Sequence, residues 1–244
     1  LEPIGSTQLK SMYDITYSPA TIRGYFKKLG EEGYLAQEHI SSGRTPTTEA
    51  LKQYWQTKLG FKLKGVNIRA IEYFASEIGL CVFIKKVKTD ILKNIINVEN
   101  RYMILEFSSF AISVKYSDAL YRFLNDMIGL DLKDITKVSK DVGAYEVYES
   151  IHQTLQNSDF QIFNYKEFLS LALNYDLDEY TINSFLKGQI LDELKEGLYF
   201  DKLLPPNYIG ICNYCKINNE DVKMLVIGEL PKDYEYFYEK ITTF

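Results

Sequence analysis

Residues Tyr17–Pro46 read YSPATIRGYFKKLGEEGYLAQEHISSGRTP, a sequence that predicts a short capped helix followed by a hairpin. Ser18 is a favoured helix N-cap, and Pro19 suits the first helical position because its missing N–H costs nothing there. Gly33 can adopt the left-handed conformation that ends many helices. Between these limits, one apolar stripe at helical spacing comprises Ile22, Phe26 and Leu29.

The residues after this helix predict a hairpin with a basic side chain near its tip. We expect its two arms at Tyr34–Gln37 and His39–Ile40. A tight bend at Ser41–Gly43 then leads to Arg44, because glycine and serine favour such turns.

A shorter helix is predicted in front of the first one, over Ser6–Tyr13. Its apolar face would carry Leu9 and either Met12 or Tyr13, and Asp14–Tyr17 would form the turn between the two helices. Two helices joined by a turn and followed by a hairpin are typical of a winged helix-turn-helix, in which the second helix enters the DNA major groove. Such domains usually carry one more helix in front, so we expect that helix before Leu1.

The polar face of the second helix is the candidate DNA contact. Arg23 is expected at a base edge or a phosphate, because its guanidinium can bind two acceptors at once. Ser18 and Thr21 lie at the helix N-terminus, where backbone N–H groups can meet phosphate. Lys27 and Lys28 are expected to contact the DNA backbone, which positions the helix without specifying a sequence. An ordinary solvated surface helix shows the same periodicity, so the pattern alone leaves both interpretations open.

Gly43 and Arg44 are the candidate contacts of the hairpin, with the minor groove or the sugar-phosphate chain. The alternative is a turn glycine beside a surface arginine. Charge is distributed unevenly, because residues 1–64 carry nine Lys/Arg and six Asp/Glu, whereas the whole chain has a net charge of −5. This modest excess favours a few phosphate contacts over a broad basic surface.

The remainder of the chain predicts an α+β arrangement. A helix start at Thr45 or Thr47 would lead out of the first domain, and Lys62–Gly65 would be a linker. Helical periodicity is clear over Asn67–Ile78 and again between residues 182 and 194. Strand patterns occur at residues 80–84, 101–107, 110–116, 208–212 and 222–228. Strands that return after a helical stretch indicate an insertion into a sheet domain.

Several motifs together resemble the heat-inducible transcription repressor family, HrcA. The first domain carries Pro3-Ile4-Gly5-Ser6, Ser18-Pro19-Ala20-Thr21-Ile22-Arg23, Leu29-x-x-x-Gly33-Tyr34-Leu35 and Ser42-Gly43-Arg44-Thr45-Pro46-Thr47. Downstream motifs are Phe123-Leu124-Asn125 with Gly129-Leu130, and Ile227-Gly228-Glu229-Leu230-Pro231-Lys232-Asp233-Tyr234. Gly24, Tyr25 and Phe26 depart from the family pattern, which usually has more polar residues and a Met there.

This resemblance implies a winged helix-turn-helix over residues 1–64, followed by a GAF-like domain over 65–117 and 166–244. A helical dimerisation insert would occupy 118–165, and Leu120, Phe123, Leu124 and Met127 are its candidate interface residues. The implied function is repression of chaperone genes by a homodimer on the inverted repeat called CIRCE, with activity modulated by heat and the GroE chaperonin. The rival interpretation is a winged-helix regulator whose GAF-like domain senses a small ligand.

Other kinds of site have little support in the sequence. Cys212 and Cys215 have metal-ligand or redox spacing, but there is no second pair of cysteines. The default interpretation is two cysteines at the end of a strand. His152 lies on a predicted apolar helix face, as core or interface histidines do. The chain has no glycine-rich phosphate loop and no nucleophile motif, so we expect neither an enzyme nor a cofactor. With no apolar run of about 18 residues and no signal pattern, a cytoplasmic protein is expected.

Overall fold

The computed structural model describes residues 2–37, 39, 42–58, 63, 65–87, 89–156 and 160–243. Within these residues the chain is a mixed α+β protein. Its helices are α1 (Ser6–Tyr13), α2 (Pro19–Glu31), α3 (Thr48–Lys58), α4 (Ile68–Ile78), α5 (Asp118–Asn125), α6 (Leu132–Asp141), α7 (Tyr145–Gln156), α8 (Tyr165–Asn174), α9 (Glu179–Leu186), α10 (Ile190–Glu193) and α11 (Tyr234–Ile241). Its strands are β1 (Leu35–Ala36), β2 (Thr45–Pro46), β3 (Gly65–Val66), β4 (Cys81–Lys86), β5 (Leu92–Val98), β6 (Tyr102–Phe107), β7 (Ala111–Lys115), β8 (Phe160–Phe163), β9 (Gly197–Tyr199), β10 (Tyr208–Ile217), β11 (Glu220–Glu229) and β12 (Thr242–Thr243).

The chain forms two compact units. The first comprises Leu1–Ile84 and Gln161–Phe244, and the second comprises Lys85–Phe160. The sequence led us to expect an insert over 118–165, whereas the second unit starts earlier. It starts earlier because β5, β6 and β7 form a sheet of their own and share a core with the helices that follow.

The first unit is built on one large sheet. In the part of the chain that the structure describes, the strand order is β12-β3-β10-β11-β4-β8, with β9 also paired to β10. The two long central strands pair antiparallel without interruption, from Tyr208 opposite Glu229 to Ile217 opposite Glu220. They are longer than the sequence predicted, because Asn218 and Asn219 both adopt positive φ and make the connecting turn very tight.

Side chains alternate between the two faces of this sheet. One face packs against α4 and α11, where Ile71, Ala75 and Phe237 lie in the core. The other face meets an aromatic cluster in which the rings of Phe83, Phe168 and Phe185 lie 4.8–5.6 Å apart. Helices therefore cover both faces, which explains why the central strands are nearly continuously apolar.

The helix predicted between residues 182 and 194 is divided in two. Gly188 has a φ of +67°, a conformation that interrupts the helix between α9 and α10. The side chain of Lys223 reaches the end of α10 and donates hydrogen bonds to the carbonyl oxygens of Leu191 and Leu194. The apolar period predicted helical structure correctly but did not predict the break.

The second unit packs α5, α6 and α7 on one face of the sheet β5-β6-β7. The strands predicted at 101–107 and 110–116 are confirmed as β6 and β7, which pair antiparallel from Tyr102–Lys115 to Glu106–Ala111. Helix α5 is capped by Ser117, whose Oγ accepts from the Leu120 amide at 3.2 Å.

Candidate nucleic-acid interface

Helices α1 and α2 form the start of the candidate interface. As predicted, Ser18 caps α2, and its Oγ accepts a hydrogen bond from the Thr21 amide at 3.1 Å. Gly33, with a φ of +82°, follows the end of the helix. Helix α1 ends at Asp14, which adopts a left-handed conformation that turns the chain into the connection between the two helices. Local capping therefore fixes the length and start of α2 independently of any partner.

The buried side of α2 is narrow. Ile22 is buried, Phe26 is half-buried and Leu29 is 37% exposed. Of the predicted apolar stripe, only Ile22 is therefore fully packed against the rest of the protein. The expected apolar face of α1 is wrong at its second position, since Met12 and Tyr13 are 60% and 66% exposed. Helical spacing places residues on one face but does not supply a neighbour to cover that face.

The outward side of α2 carries the predicted cations. Lys27 lies 3.8 Å from Glu31 and Lys28 lies 4.0 Å from Glu32, in pairs whose lysine side chains are 78% and 72% exposed. Surface pairs of this kind contribute little and are screened by salt. Both ammonium groups can therefore exchange these partners for phosphate oxygens at small cost.

Arg23 occupies the flank of α2 and contacts α1. Its residue is exposed, and its Nη1 donates a long hydrogen bond of 3.4 Å to Oγ of Ser6. This contact was not predicted, because the two residues lie 17 positions apart in the sequence. A serine at the start of a helix is also normally interpreted as an N-cap. Only the packing of the two helices brings these side chains together.

Ser18 and Thr21 are engaged with each other. Their hydroxyl oxygens are 2.8 Å apart, in addition to the bond from the Thr21 amide to Ser18. We expected free backbone N–H groups near both residues, but the Thr21 amide is occupied by the cap. A phosphate here would meet the exposed hydroxyl pair instead.

The predicted hairpin has a different second arm. Strand β1 pairs with β2, so that Leu35 lies opposite Pro46 and Ala36 opposite Thr45. We had expected His39–Ile40 in that place, and Ile40 lies outside the described residues. Inside the intervening loop, Oγ of Ser42 accepts from the amide of His39 at 3.0 Å and donates to its carbonyl at 2.7 Å. Ser42 is thus bonded to the backbone of His39, and the strand pairing is made by Leu35–Ala36 and Thr45–Pro46.

Gly43 and Arg44 lie against the start of the chain. Arg44 and Ile4 exchange backbone hydrogen bonds of 2.9 and 3.0 Å, and both residues are half-buried. A Cβ on Gly43 would lie 2.5 Å from backbone atoms of Ile4. In the described structure, Nη1 of Arg44 is buried and has no hydrogen-bond partner. The glycine is required for close packing, and the arginine carries an unsatisfied donor beside the candidate interface.

Helix α3 leads from this region into the sheet of the same unit. Thr47, one of the two predicted caps, accepts from the Ala50 amide at 3.2 Å. Trp55 is buried, and its Nε1 donates to the carbonyl of Leu230 at 2.8 Å. Lys52 also pairs with Asp201 at 2.7 Å. Helix α3 is therefore fixed to the loops at one end of the sheet.

An exposed cluster on α3 adds a charged contact with α11. Lys58 Nζ lies 3.1 Å from Glu235, and the Tyr54 hydroxyl donates to the same carboxylate at 2.9 Å. Hydrogen bonds from Lys58 and then Tyr54 lower the pKa of Glu235. Bonding to Glu235 raises the pKa of Lys58.

The candidate dimer residues lie in and around the core of the second unit. Leu124 has no exposed surface and Met127 is 6% exposed, whereas Leu120 and Phe123 are partly buried against the same core. A side chain with no accessible surface cannot contact a second copy while this unit keeps its fold. The structure thus assigns Leu124 to packing within the unit, and Met127 packs in the same core with little exposed surface.

The two cysteines with metal-ligand spacing point to opposite faces of the sheet. Cys212 and Cys215 are three residues apart in β10, whose pairing with β11 has no register shift, so their side chains alternate. Both are free thiols, and burial raises the pKa of Cys212 to about 11 and of Cys215 to about 12. His152 stacks on Tyr148, with ring centroids 5.5 Å apart. Among the described residues, no three His, Cys, Asp or Glu side chains gather as metal ligands.

The first unit contains a small cavity at the end of α4. It measures about 30 Å³ and is lined by Gly79, Glu167, Tyr208 and Lys232 among others. Burial, followed by the nearby charge of Glu229, raises the pKa of Tyr208 to about 12. A space of this size accommodates a water molecule rather than a metabolite. In the described part of the chain, none of the helices is long and apolar enough to cross a membrane.

Comparison with known proteins identifies the family. Residues 55–244 match the family described as "HrcA C-terminal domain". The heat-inducible transcription repressors HrcA of two Helicobacter pylori strains are 31% and 30% identical to this chain, over 99% of it and 88% of their own length. The protein of the same name from Streptomyces avermitilis is 39% identical over 74 residues, which is 30% of this chain and 22% of that protein. A solved structure, titled only as a hypothetical protein, covers 98% of this chain and 90% of its own with a TM-score of 0.46 and 18% identity. The chain belongs to the HrcA family.

Proposed function

We propose that this chain is a heat-inducible transcription repressor that binds double-stranded DNA through a winged helix-turn-helix formed by residues 1–64. The observation that carries the proposal is the outward face of α2, where Arg23, Lys27 and Lys28 stand exposed on a helix with its own cap. The helix pair and the short strands β1 and β2 have the element order of that motif. The names of the full-length relatives support the same function.

The remaining architecture is assigned by resemblance to the family. The GAF-like domain was expected over 65–117 and 166–244; because residues 85–117 belong to the second compact unit, we assign 65–84 and 166–244 to it. The helices on both faces of the large sheet support a domain of that class. The dimerisation insert, expected over 118–165, overlaps the compact unit Lys85–Phe160 as far as residue 160, and we propose that this unit carries the dimer contact. Two copies would present two α2 helices to an inverted repeat, since one helix reads only a short half-site. The buried Leu124 and Met127 would support that unit from inside rather than form its contact surface.

The operator and the response to heat follow from the same resemblance. The repressor would occupy the CIRCE inverted repeat upstream of chaperone operons, and the GroE chaperonin would help to maintain its active form. Because unfolding has a large enthalpy, a marginally stable folded state loses population steeply as temperature rises. Falling occupancy would then release the chaperone genes.

The test is a comparison of duplexes, variants and temperatures. The full-length protein should footprint the CIRCE repeat at moderate temperature, lose it on heating, and discriminate against a scrambled duplex. Arg23→Ala should cost about 1–3 kcal/mol on the specific duplex and reduce discrimination. Lys27→Ala should weaken both duplexes alike and reduce the salt slope by about one. Equal affinity of the wild-type protein for both duplexes at moderate salt would refute specific repression.

The rival function, sensing of a small ligand by the sheet domain, lacks a favouring observation. The cavity beside Glu167 and Lys232, of about 30 Å³, is too small for a metabolite in this conformation. A screen of metabolites by thermal shift, run beside the temperature series of DNA binding, would separate the two functions. A metabolite that stabilised the protein and changed its DNA affinity at constant temperature would favour the rival.

A further inference from the structure

Ser6 is a buried serine whose hydroxyl is not used by its own helix. It is the first residue of α1 and only 9% exposed. The N-cap position of that helix is taken by Gly5, which makes no side-chain cap bond. In the described structure, the Ser6 hydroxyl accepts a hydrogen bond of 3.4 Å from Nη1 of Arg23. The Ser6 side chain therefore contacts α2 and does not cap α1.

The contact with Ser6 restricts the side chain of Arg23. It follows the buried Ile22 by one residue, so it projects about 100° away from the packed side of α2, on the flank next to α1. A free arginine loses considerable rotamer entropy when it is fixed against a ligand. A bond from one guanidinium nitrogen to Ser6 removes part of that freedom before DNA arrives. The remaining N–H groups of the guanidinium stay available, because an arginine has five.

Resting on the proposed DNA-binding function, we propose that Ser6 is a positioning residue that orients Arg23 for its contact with the duplex. Ser6 itself is too buried to reach DNA. It acts by holding the guanidinium of Arg23 on the α1 side of α2, so that the same groups meet the same acceptors each time the helix docks. Both helices of the pair therefore determine the contact, although only α2 enters the groove.

The experiment measures binding of full-length variants to the CIRCE duplex and to a scrambled duplex of the same composition at one salt concentration. Ser6→Ala removes the acceptor and should weaken specific binding roughly two- to tenfold, which corresponds to the loss of one hydrogen bond. The double variant Ser6→Ala with Arg23→Ala should bind no worse than Arg23→Ala alone, because Ser6 acts only through Arg23. Ser11→Ala is the matched control, since Ser11 is an exposed serine of the same helix that bonds only locally to Gln8.

Each outcome decides for or against the role of Ser6. Wild-type affinity in a folded Ser6→Ala protein, or multiplied losses in the double variant, would overturn the proposal. If Ser6→Ala lowers the melting temperature, Ser6→Cys, which keeps the size but bonds weakly, replaces it with the same expectations. Restored binding by Ser6→Thr, which keeps the hydroxyl, would support positioning over packing. A wild-type protein that does not distinguish the two duplexes would instead refute the proposed function, a separate result from any difference among these variants.

Discussion

Gly43 and Gly24 show how differently two glycines of one unit can be constrained. A Cβ at Gly43 would come within 2.5 Å of the Ile4 backbone, whereas a Cβ at Gly24 would meet nothing within 4 Å. We predict that Gly43→Ala lowers the free energy of unfolding by about 1–3 kcal/mol through overpacking. Gly24→Ala, its matched control, should raise that free energy by up to about 1 kcal/mol, because glycine is unfavourable inside a helix. Urea unfolding of the two variants measures both changes in the free energy of unfolding. A Gly43→Ala protein as stable as the wild type would contradict the packing seen at Ile4.

Asp90 is a buried carboxylate that organises a turn in the second unit. Its oxygens accept from the amides of Ser108 at 2.6 Å and Ser109 at 3.0 Å, and from the Ser109 hydroxyl at 2.5 Å. Burial alone would raise its pKa, but the bonds from Ser109, Ile91 and Ser108 outweigh it and lower the pKa below 3.8. The charged form is therefore the one that the folded state favours.

The pH dependence of this unit follows from that sign. The stabilisation by Asp90 should be fully present above its unfolded pKa near 3.8 and lost as pH falls through the lower folded pKa. Asp90→Asn should destabilise the unit by about 1–3 kcal/mol at neutral pH and flatten this acid dependence. Asp126→Asn, at an exposed carboxylate of the same unit, should do neither. Urea unfolding between pH 2 and 7 measures the effect, and parallel curves for Asp90→Asn and the wild type would contradict it.

Single residues were predictable from the sequence where the cause is local. Ser18 caps its helix as predicted, because a cap depends on the residue and its nearest neighbours. Asp90 and the contact of Ser6 with Arg23 were not predicted. Both depend on groups brought together from distant positions, for which neither periodicity nor composition carries a signal.

At the scale of elements, specific contacts hold α3 against the rest of the first unit. Trp55 packs edge-on against Tyr234, with ring centroids 5.0 Å apart, and bonds to the Leu230 carbonyl. Trp55→Phe should destabilise this unit by about 1–3 kcal/mol, since it leaves a buried carbonyl unsatisfied. Tyr54→Phe, which removes an exposed hydroxyl and its solvent-accessible bond to Glu235, should have a much smaller effect. Denaturant unfolding followed by circular dichroism compares the two, and equal losses would mean that the indole bond contributes nothing specific.

Element type was easier to predict than element partnership. The amphipathic period of α4 and the alternation of β7 identified both correctly. The predicted partner of β1 was wrong, because Ser42 bonds to the backbone of His39 and the strand pairing falls to Thr45–Pro46. Strand β5 escaped prediction because a bulge between Leu92 and Asn94 interrupts its alternation.

At the scale of the whole molecule, the chain divides its apolar residues between two cores. The strand and helix patterns indicated an insertion, and the resemblance to the family placed its start at 118, whereas the second unit starts at Lys85. The strands β5–β7 gave no sign that they form a sheet separate from the one containing β4. Which sheet a strand joins depends on its long-range pairing, and the alternation of apolar and polar residues does not predict that pairing.

Leu124→Ala tests whether these two cores are separate cooperative units. Leu124 is fully buried in the second unit, so its truncation should cost about 2–5 kcal/mol there. Trp55, the single tryptophan of the chain, lies in the core of the first unit and reports on that unit alone. Thermal unfolding by circular dichroism should therefore gain an earlier phase while the fluorescence transition of Trp55 stays in place. Leu173→Ala, at a leucine that is 83% exposed, should change neither curve. If both transitions of Leu124→Ala shifted together, the units would unfold as one, because only a shared cooperative transition transmits a loss in one core to a reporter in the other.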